Sequence, residues 1–267
     1  MKLNQSFRLK TKNQLLLLIT VISLTQTGCA LSTSSPVVVT TCSVPTDQSG
    51  SINGHWLTHP ISIAFHAGDF SASEISAMIQ AADTWNQFFN SSKSFPIFTY
   101  GSTDSPQITT TGNFAGTGVC SGSPNVANGS FVTPVGIYKV ASWPYSSNVI
   151  ALTSTCTQAG SSASSNGQTY SSISGAVLEV NYSNFFVPGA PQPDLQSVVL
   201  HELGHLLGLD HSCGSKPNMP NCGDPNLNQA YSTAVMYPTF SFDTLTGLGS
   251  SRQALTANDE SRANCLY

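Results

Sequence analysis

An α+β fold is predicted by the mixture of strand and helix signals along the chain. Short segments that alternate apolar and small polar residues indicate half-buried strands, and they lie on both sides of a long helical pattern. Two later segments carry the start signals of helices, near residues 194 and 256. The 267 residues suffice to bury a core. With 8% charged residues and a net charge of −4, the chain lacks a basic footprint, so we expect no nucleic-acid partner.

The first elements follow from local patterns. Alternation over residues 61–65 predicts a strand just after the expected start of the folded domain at His55. A helix running to about Phe89 is expected next, because its first turn holds a cap, a capping-box partner and a hydrophobic staple pair. These residues are Ser71, Glu74, Phe70 and Ile75.

The middle of the chain is rich in Gly, Ser and Thr and carries weaker signals. Periodicity and β-branched or aromatic content predict further strands there and on either side of it. The expected strands cover residues 95–100, 131–140, 148–155 and 176–182, and residues 161–165 are expected to form an exposed loop.

Two helices are predicted in the last third of the chain. Asp194 follows a proline-rich breaker and can cap a helix that ends near Leu207. Thr256 can cap a final helix that reaches Tyr267.

The stretch from His201 to His211, HELGHLLGLDH, carries the strongest functional signal. On a helix, His201 and His205 project from one face and can bind one Zn²⁺ at about 2.0–2.1 Å. Glu202 is placed to act as general base toward a zinc-activated water. Gly208 can end the helix in the left-handed conformation and bring His211 back as the third ligand. The fourth position would stay open for water, which is typical of a catalytic zinc site.

The N-terminal residues 1–29 have the pattern of an export signal. A positive leader precedes a mostly apolar run over residues 15–24, which is too short to span a bilayer. Thr27-Gly28-Cys29 resembles a bacterial lipobox, although Gln26 stands where leucine is usual, and a lipid on Cys29 would attach the protein to a membrane. Cleavage after Ala30 is the alternative. Both routes predict an exported protein, either an outer-membrane or cell-surface lipoprotein or a secreted one.

Residues 30–54 show no period and are expected to form a Ser- and Thr-rich tether. The chain has seven cysteines, so lipidation of Cys29 would leave six, which suggests three disulfides in an exported protein. Cys213 and Cys222 flank a short loop after the motif, and we expect them to pair. Elimination then leaves the pairs Cys120–Cys156 and Cys42–Cys265.

Together with the later stretch Val235-Met236-Tyr237-Pro238, the motif resembles the metzincins, and within them the matrixins. Ser212 and the stretch from Leu255 to Asp259 add to the likeness. The resemblance implies a zincin-type fold, in which a twisted, mostly parallel sheet packs on a first helix and an active-site helix. A small C-terminal subdomain ending in a helix would follow. Residues 55–211 would form the upper part and residues 212–267 the lower part.

The same resemblance assigns roles to residues outside the motif. Met236 would be the Met-turn residue, an apolar base beneath the zinc, while Tyr237 and Pro238 would line the pocket for the residue after the cut bond. One catalytic Zn²⁺ is expected. A second, structural zinc is not, since no histidine lies between His66 and His201. The carboxylates are scattered, so no calcium site is assigned.

The sequence therefore predicts a monomeric zinc-dependent endopeptidase that acts on a protein or peptide. Two alternatives stay open: a zinc hydrolase of cell-wall peptides, and a surface adhesion or binding protein with a structural metal site. The general base Glu202 disfavours the second alternative, because a structural site needs no base.

Overall fold

The computed structural model describes residues 41–110, 126–127, 130–131, 135–165 and 168–267. The chain divides into two units, Met1–Val37 and Val38–Tyr267, and all described residues belong to the second. The predicted signal segment with Cys29 lies outside the described residues, as does Cys120. Within the described ranges, no helix has both the length and the apolar character needed to cross a membrane.

The described residues contain nine strands, of two to fifteen residues each. Seven of them form one sheet, and the other two, β5 and β6, form a small antiparallel pair. In chain order they are β1 (His55–Trp56), β2 (Ile61–His66), β3 (Phe98–Thr99), β4 (Ile108–Thr109), β5 (Val126–Ala127), β6 (Ser130–Phe131), β7 (Val135–Val140), β8 (Ala151–Ser165) and β9 (Gln168–Asn181).

The sheet is mostly parallel, as predicted. β2 pairs in parallel with β3, β4 and β7, and β9 pairs in parallel with β1 and β7. β8 is the exception, because it runs antiparallel to β9 as one arm of a long hairpin. Strand β8 is therefore an edge strand, and its position decides what lines the site described below.

The length of this hairpin differs from the sequence prediction. Residues 161–165 do not form a loop, since Ser162 pairs with Ser171 and Ser165 pairs with Gln168 in the β8–β9 ladder. The reason is that backbone pairing, and not side-chain alternation, extends the hairpin through a stretch of Ser and Ala. The strand predicted at residues 95–100 is shorter than expected and comprises only β3.

Four α-helices and one short 3₁₀ helix (Thr46–Gln48) occupy the described chain; the α-helices are α1 (Ala72–Lys93), α2 (Leu195–Leu207), α3 (Gln229–Ser232) and α4 (Ala257–Leu266). Ser71 caps α1 with the predicted capping box. This helix continues past Phe89 and ends where Ser94 adopts the left-handed conformation with φ 67°. Asp194 caps α2 by accepting from Ser197 N at 2.9 Å, and Thr256 is the N-cap of α4.

The core lies where α1 and α2 pack together against the sheet. Apolar side chains of both helices are almost fully buried there. Two tryptophans bridge to α2 through their ring N–H groups, which keeps their polar atoms satisfied. Trp85 Nε1 donates to Leu200 O at 3.0 Å, and Trp56 Nε1 donates to Leu206 O at 2.7 Å. Helix α2 is therefore held from two directions.

The sequence predicted that the folded domain starts at His55, but the packed unit begins earlier in the chain. Residues 42–53, which we call the N-terminal arm, lie against the domain instead of extending from it as a tether. The Cys42–Cys265 disulfide joins the arm to α4, and Ile52 forms a β-bridge with Leu209. Sequence periodicity misses such a segment, because long-range contacts and not a regular element hold it in place.

The disulfides agree with the sequence as far as the structure describes them. Cys213–Cys222 closes a loop after the motif, and Cys42–Cys265 is present. Cys156 is disulfide-bonded, while its predicted partner Cys120 lies outside the described residues.

Candidate metal centre and active site

Helix α2 carries the first two histidines on one face, four residues apart. His201 is buried and His205 half-buried, and their Nε2 atoms lie 3.1 Å apart. This spacing is a direct result of helical geometry, which places residues i and i+4 one turn above each other.

Two glycines of the motif allow this arrangement. Gly208 has φ 110°, and a Cβ there would collide with the carbonyl oxygen of Gly54. Gly204 lies against Met236, whose sulfur occupies the space that a Cβ at position 204 would need. Position 208 therefore needs glycine for its backbone conformation and for the close approach of Gly54. Position 204 needs glycine because Met236 packs closely against it.

The turn at Gly208 brings His211 to the two helical histidines. Its Nε2 lies 3.2 Å from His205 Nε2, and the three residues form a cluster able to hold a metal ion. A tetrahedral zinc with bonds of about 2.0–2.1 Å separates its ligand nitrogens by about 3.3–3.4 Å. The observed separations of 3.1 and 3.2 Å fit that requirement.

Backbone carbonyls orient two of the three rings. His201 Nδ1 lies 2.7 Å from Val235 O, and His205 Nδ1 lies 2.8 Å from Leu209 O. A carbonyl accepts but does not donate, so each Nδ1 carries its proton and each Nε2 presents a lone pair. This is the tautomer that a zinc ligand needs.

Burial favours the neutral form of these imidazoles by lowering their pKa. Burial is the main cause that lowers the pKa of His205 to about 4, followed by the neighbouring His211. The same cause places the pKa of His201 well below its usual range and lowers that of His211. Protons therefore compete weakly with a metal ion at neutral pH.

Glu202 lies buried beside the histidines, on the same helix. Thr153 of β8 donates from Oγ1 to Glu202 Oε2 at 2.8 Å and to the Glu202 carbonyl at 3.0 Å. Burial raises the pKa of Glu202 to about 7, and the hydrogen bonds from Thr153 oppose that rise. A bound dication would lower the pKa, since a nearby positive charge favours the ionised form.

Met236 is fully buried, and its sulfur packs against Gly204 of α2, between His201 and His205 in the chain. Its backbone is held on both sides: Met236 N donates to Asp259 Oδ1 at 3.1 Å, and Ser212 N donates to Met236 O at 2.8 Å. Asp259 also accepts from Val235 N at 2.9 Å, so α4 supports the turn that orients His201. Met236 is therefore fixed against helix α2, and its role as the Met-turn residue stays a prediction.

A cavity of about 750 Å³ opens over the histidines. Strand β8 and the segment before it form one long wall, and Pro238 is part of the other. Tyr237 takes a different place from the predicted one, because its ring packs 5.5 Å from the guanidinium of Arg252 and is not part of the cavity lining. Phe240 and Phe242 line the cavity there.

Several residues of the site carry no signal in the sequence. Thr153 is 49 positions from Glu202, and Asn53 of the arm lines the cavity beside His211. Only their spatial proximity identifies them. Phe240 could have been suspected from its position shortly after the predicted pocket residues.

Comparison with known families agrees with the site. A family model described as metallo-peptidase family M12 matches residues 37–248, which is well over half of the chain. The matched range contains the three histidines, Glu202 and Met236. No individual curated protein matches the sequence.

Proposed function

Because the chain belongs to metallo-peptidase family M12, a group of metzincin-type zinc peptidases, we propose that it is an endopeptidase with Glu202 as its general base. The observation that carries this proposal is the convergence of three imidazole Nε2 atoms within zinc-binding distance, beside a buried carboxylate and an open cavity.

The chemistry divides between the metal and the chain. A zinc ion held by His201, His205 and His211 would acidify a water and polarise the scissile carbonyl. Glu202 takes a proton from the attacking water and returns it to the leaving nitrogen. Thr153 holds one oxygen of this carboxylate by its 2.8 Å hydrogen bond, so the other oxygen is available for the proton.

The edge strand β8 supports cleavage within an extended peptide. Among the described strands, β8 pairs only with β9, and the cavity is lined by residues 148–150 just before β8 and by Ala151, Leu152, Thr153 and Thr155 of β8. An extended substrate can add to such an edge through main-chain hydrogen bonds, which need no particular sequence. Binding along the strand places peptide on both sides of the histidines, as an endopeptidase requires.

The wall near His201 favours an apolar residue after the cut bond. Val198, Pro238, Phe240 and Phe242 line this part of the cavity, and the Phe240 ring lies 6.2 Å from that of His201. We propose that a substrate side chain enters here and is selected by apolar burial.

The decisive experiment is hydrolysis of a fluorogenic peptide library by the oxidised, zinc-loaded protein, with Glu202→Gln as the matched variant. We expect cleavage before apolar residues, loss on chelation, and recovery with Zn²⁺. Glu202→Gln should lower kcat/KM by about 10²–10⁴-fold while keeping one zinc per chain. Equal activity of the variant would refute the assigned base, and cleavage restricted to cell-wall peptides would refute a general endopeptidase.

We also propose that the protein is exported and acts as a monomer. The sequence pattern of residues 1–29, which predicts an export signal, and the disulfides of the described chain support the first proposal. Blocking lipoprotein processing with globomycin tests Cys29: accumulation of a precursor supports lipidation, and unchanged processing supports cleavage without a lipid.

A further inference from the structure

The three histidines are not held equally. His201 and His205 lie on a rigid helix, and a carbonyl fixes each ring through Nδ1. His211 lies on the irregular stretch 208–212, which we call the third-ligand segment, and its Nδ1 is 3.9 Å from Asp210 Oδ1, beyond hydrogen-bond distance. Its ring position therefore depends on the backbone of that segment.

The N-terminal arm holds this backbone along its whole length. Three hydrogen bonds join the arm to backbone groups of the third-ligand segment, and the bridge between Ile52 and Leu209 lies among them. The bonds run from Asn53 N to Gly208 O at 2.7 Å, from Asp210 N to Ser51 O at 2.7 Å, and from Gln48 Nε2 to Ser212 O at 2.6 Å.

Helix α4 holds the same segment with a second set of contacts. The fully buried Arg262 donates from Nη1 to Asp210 O at 2.9 Å and to His211 O at 3.4 Å. Arm and α4 thus fix consecutive backbone groups around the third histidine. Neither set of contacts involves the imidazole itself, so both leave its Nε2 available to a metal ion.

The arm is itself firmly anchored. Gln48 is fully buried, and its Oε1 accepts from Asn258 Nδ2 at 2.7 Å. Asp47 accepts from the Tyr231 hydroxyl at 2.9 Å, and the disulfide fixes Cys42 to α4. A segment with these anchors can transmit positional constraint to the residues that it contacts.

We propose that the N-terminal arm is a positioning element of the metal site, with Gln48 as the positioning residue that keeps His211 in its metal-binding orientation. This inference rests on the proposed metal site. It goes beyond that site because it assigns a role in metal binding to the N-terminal arm, which precedes the first strand of the sheet.

Metal affinity tests the inference without recourse to peptidase activity. Gln48→Met keeps the side-chain length and removes the donor to Ser212 O. We expect Co²⁺ affinity, measured by competition with a chromophoric chelator, to fall about 10-fold or more, as is usual when a group that orients a ligand is lost. The visible absorption of bound Co²⁺ should also change, because it reports coordination geometry.

Tyr231→Phe is the matched control, since it removes an anchor of the arm without touching the backbone of the third-ligand segment. It should bind Co²⁺ within about 2-fold of the wild type, a change that is small beside the 10-fold effect above. If Gln48→Met does not fold, Asn53→Pro replaces it. Asn53 is exposed, and proline lacks the backbone N–H that donates to Gly208 O.

A folded Gln48→Met protein with wild-type Co²⁺ affinity and spectrum would overturn the inference. An equal loss of affinity in Tyr231→Phe would overturn the role of Gln48 as the positioning residue, since loosening of the arm as a whole would then be the cause. A wild-type chain that binds no Co²⁺ would refute the proposed metal site instead.

Discussion

The buried ion pair between Arg262 and Asp259 is the best place to test how α4 supports the site. Both side chains are 0% exposed, and Arg262 Nη2 lies 3.5 Å from Asp259 Oδ1. We predict that Arg262→Met destabilises the metal-free protein, because it leaves a carboxylate in the core without its charge partner. Breaking such a pair from one side costs about 3–5 kcal/mol.

The hydrogen bonds around the pair refine that magnitude. Asp259 also accepts from Val235 N, Met236 N and both donor groups of Thr256, at 2.8–3.1 Å. These contacts remain in Arg262→Met, so we expect a loss near 3 kcal/mol, the lower end of the range. Asp259→Asn leaves the arginine unpaired instead and should cost a similar amount or more.

The assay is a double-mutant cycle measured by urea unfolding of the oxidised, metal-free protein. The double variant has no buried charge at this position, so its destabilisation should be smaller than the sum of the two single losses by about 1–3 kcal/mol. Single losses below about 1 kcal/mol, or losses that add within about 0.5 kcal/mol, would refute the reasoning.

Two further predictions concern stability away from the site. Burial alone would raise the pKa of Glu74, but hydrogen bonds from Tyr182 and Ser71 and the charge of Lys139 lower it to about 2. The stabilisation from this carboxylate is therefore complete above pH ~4.5 and is lost as the pH falls toward about 2. The difference in free energy of unfolding between wild type and Glu74→Gln should therefore disappear over that pH range in acid titrations. A difference that stays constant would contradict this. Replacing Cys42 and Cys265 together by serine should lower the free energy of unfolding by about 2–5 kcal/mol, because the disulfide closes a loop of nearly the whole chain. Equal urea midpoints for the oxidised wild type and the double variant would show that the crosslink does not restrict the unfolded chain.

Local signals in the sequence predicted α1, α2 and α4, but not the single turn of α3. The capping box at Ser71 and the cap at Asp194 involve residues only three positions apart, so the sequence alone contains the whole interaction. The end of α1 was harder to predict from the sequence. Ser94 ends the helix in the left-handed conformation, and a serine does not signal that conformation as a glycine would.

Strand pairing was harder to predict for a physical reason. The ladder of β8 and β9 continues through Ser162 and Ser165, where side chains carry no apolar alternation. Main-chain hydrogen bonds between the two arms of the hairpin, and not side-chain burial, extend the strands there. The arm at residues 42–53 illustrates the same limit, since its order depends on partners more than 150 positions away.

The sequence by itself determined the chemistry proposed for this protein. Histidines four residues apart on a helix, a glutamate beside the first of them and a glycine before the turn suffice to predict a zinc peptidase site, since helical periodicity converts that spacing into geometry. Tertiary structure alone decided what holds and surrounds the site. Thr153 reaches Glu202, Gln48 reaches the segment of His211, and Phe240 lines the cavity over the histidines. Such contacts join distant parts of the chain, and only packing of the complete fold brings those parts together.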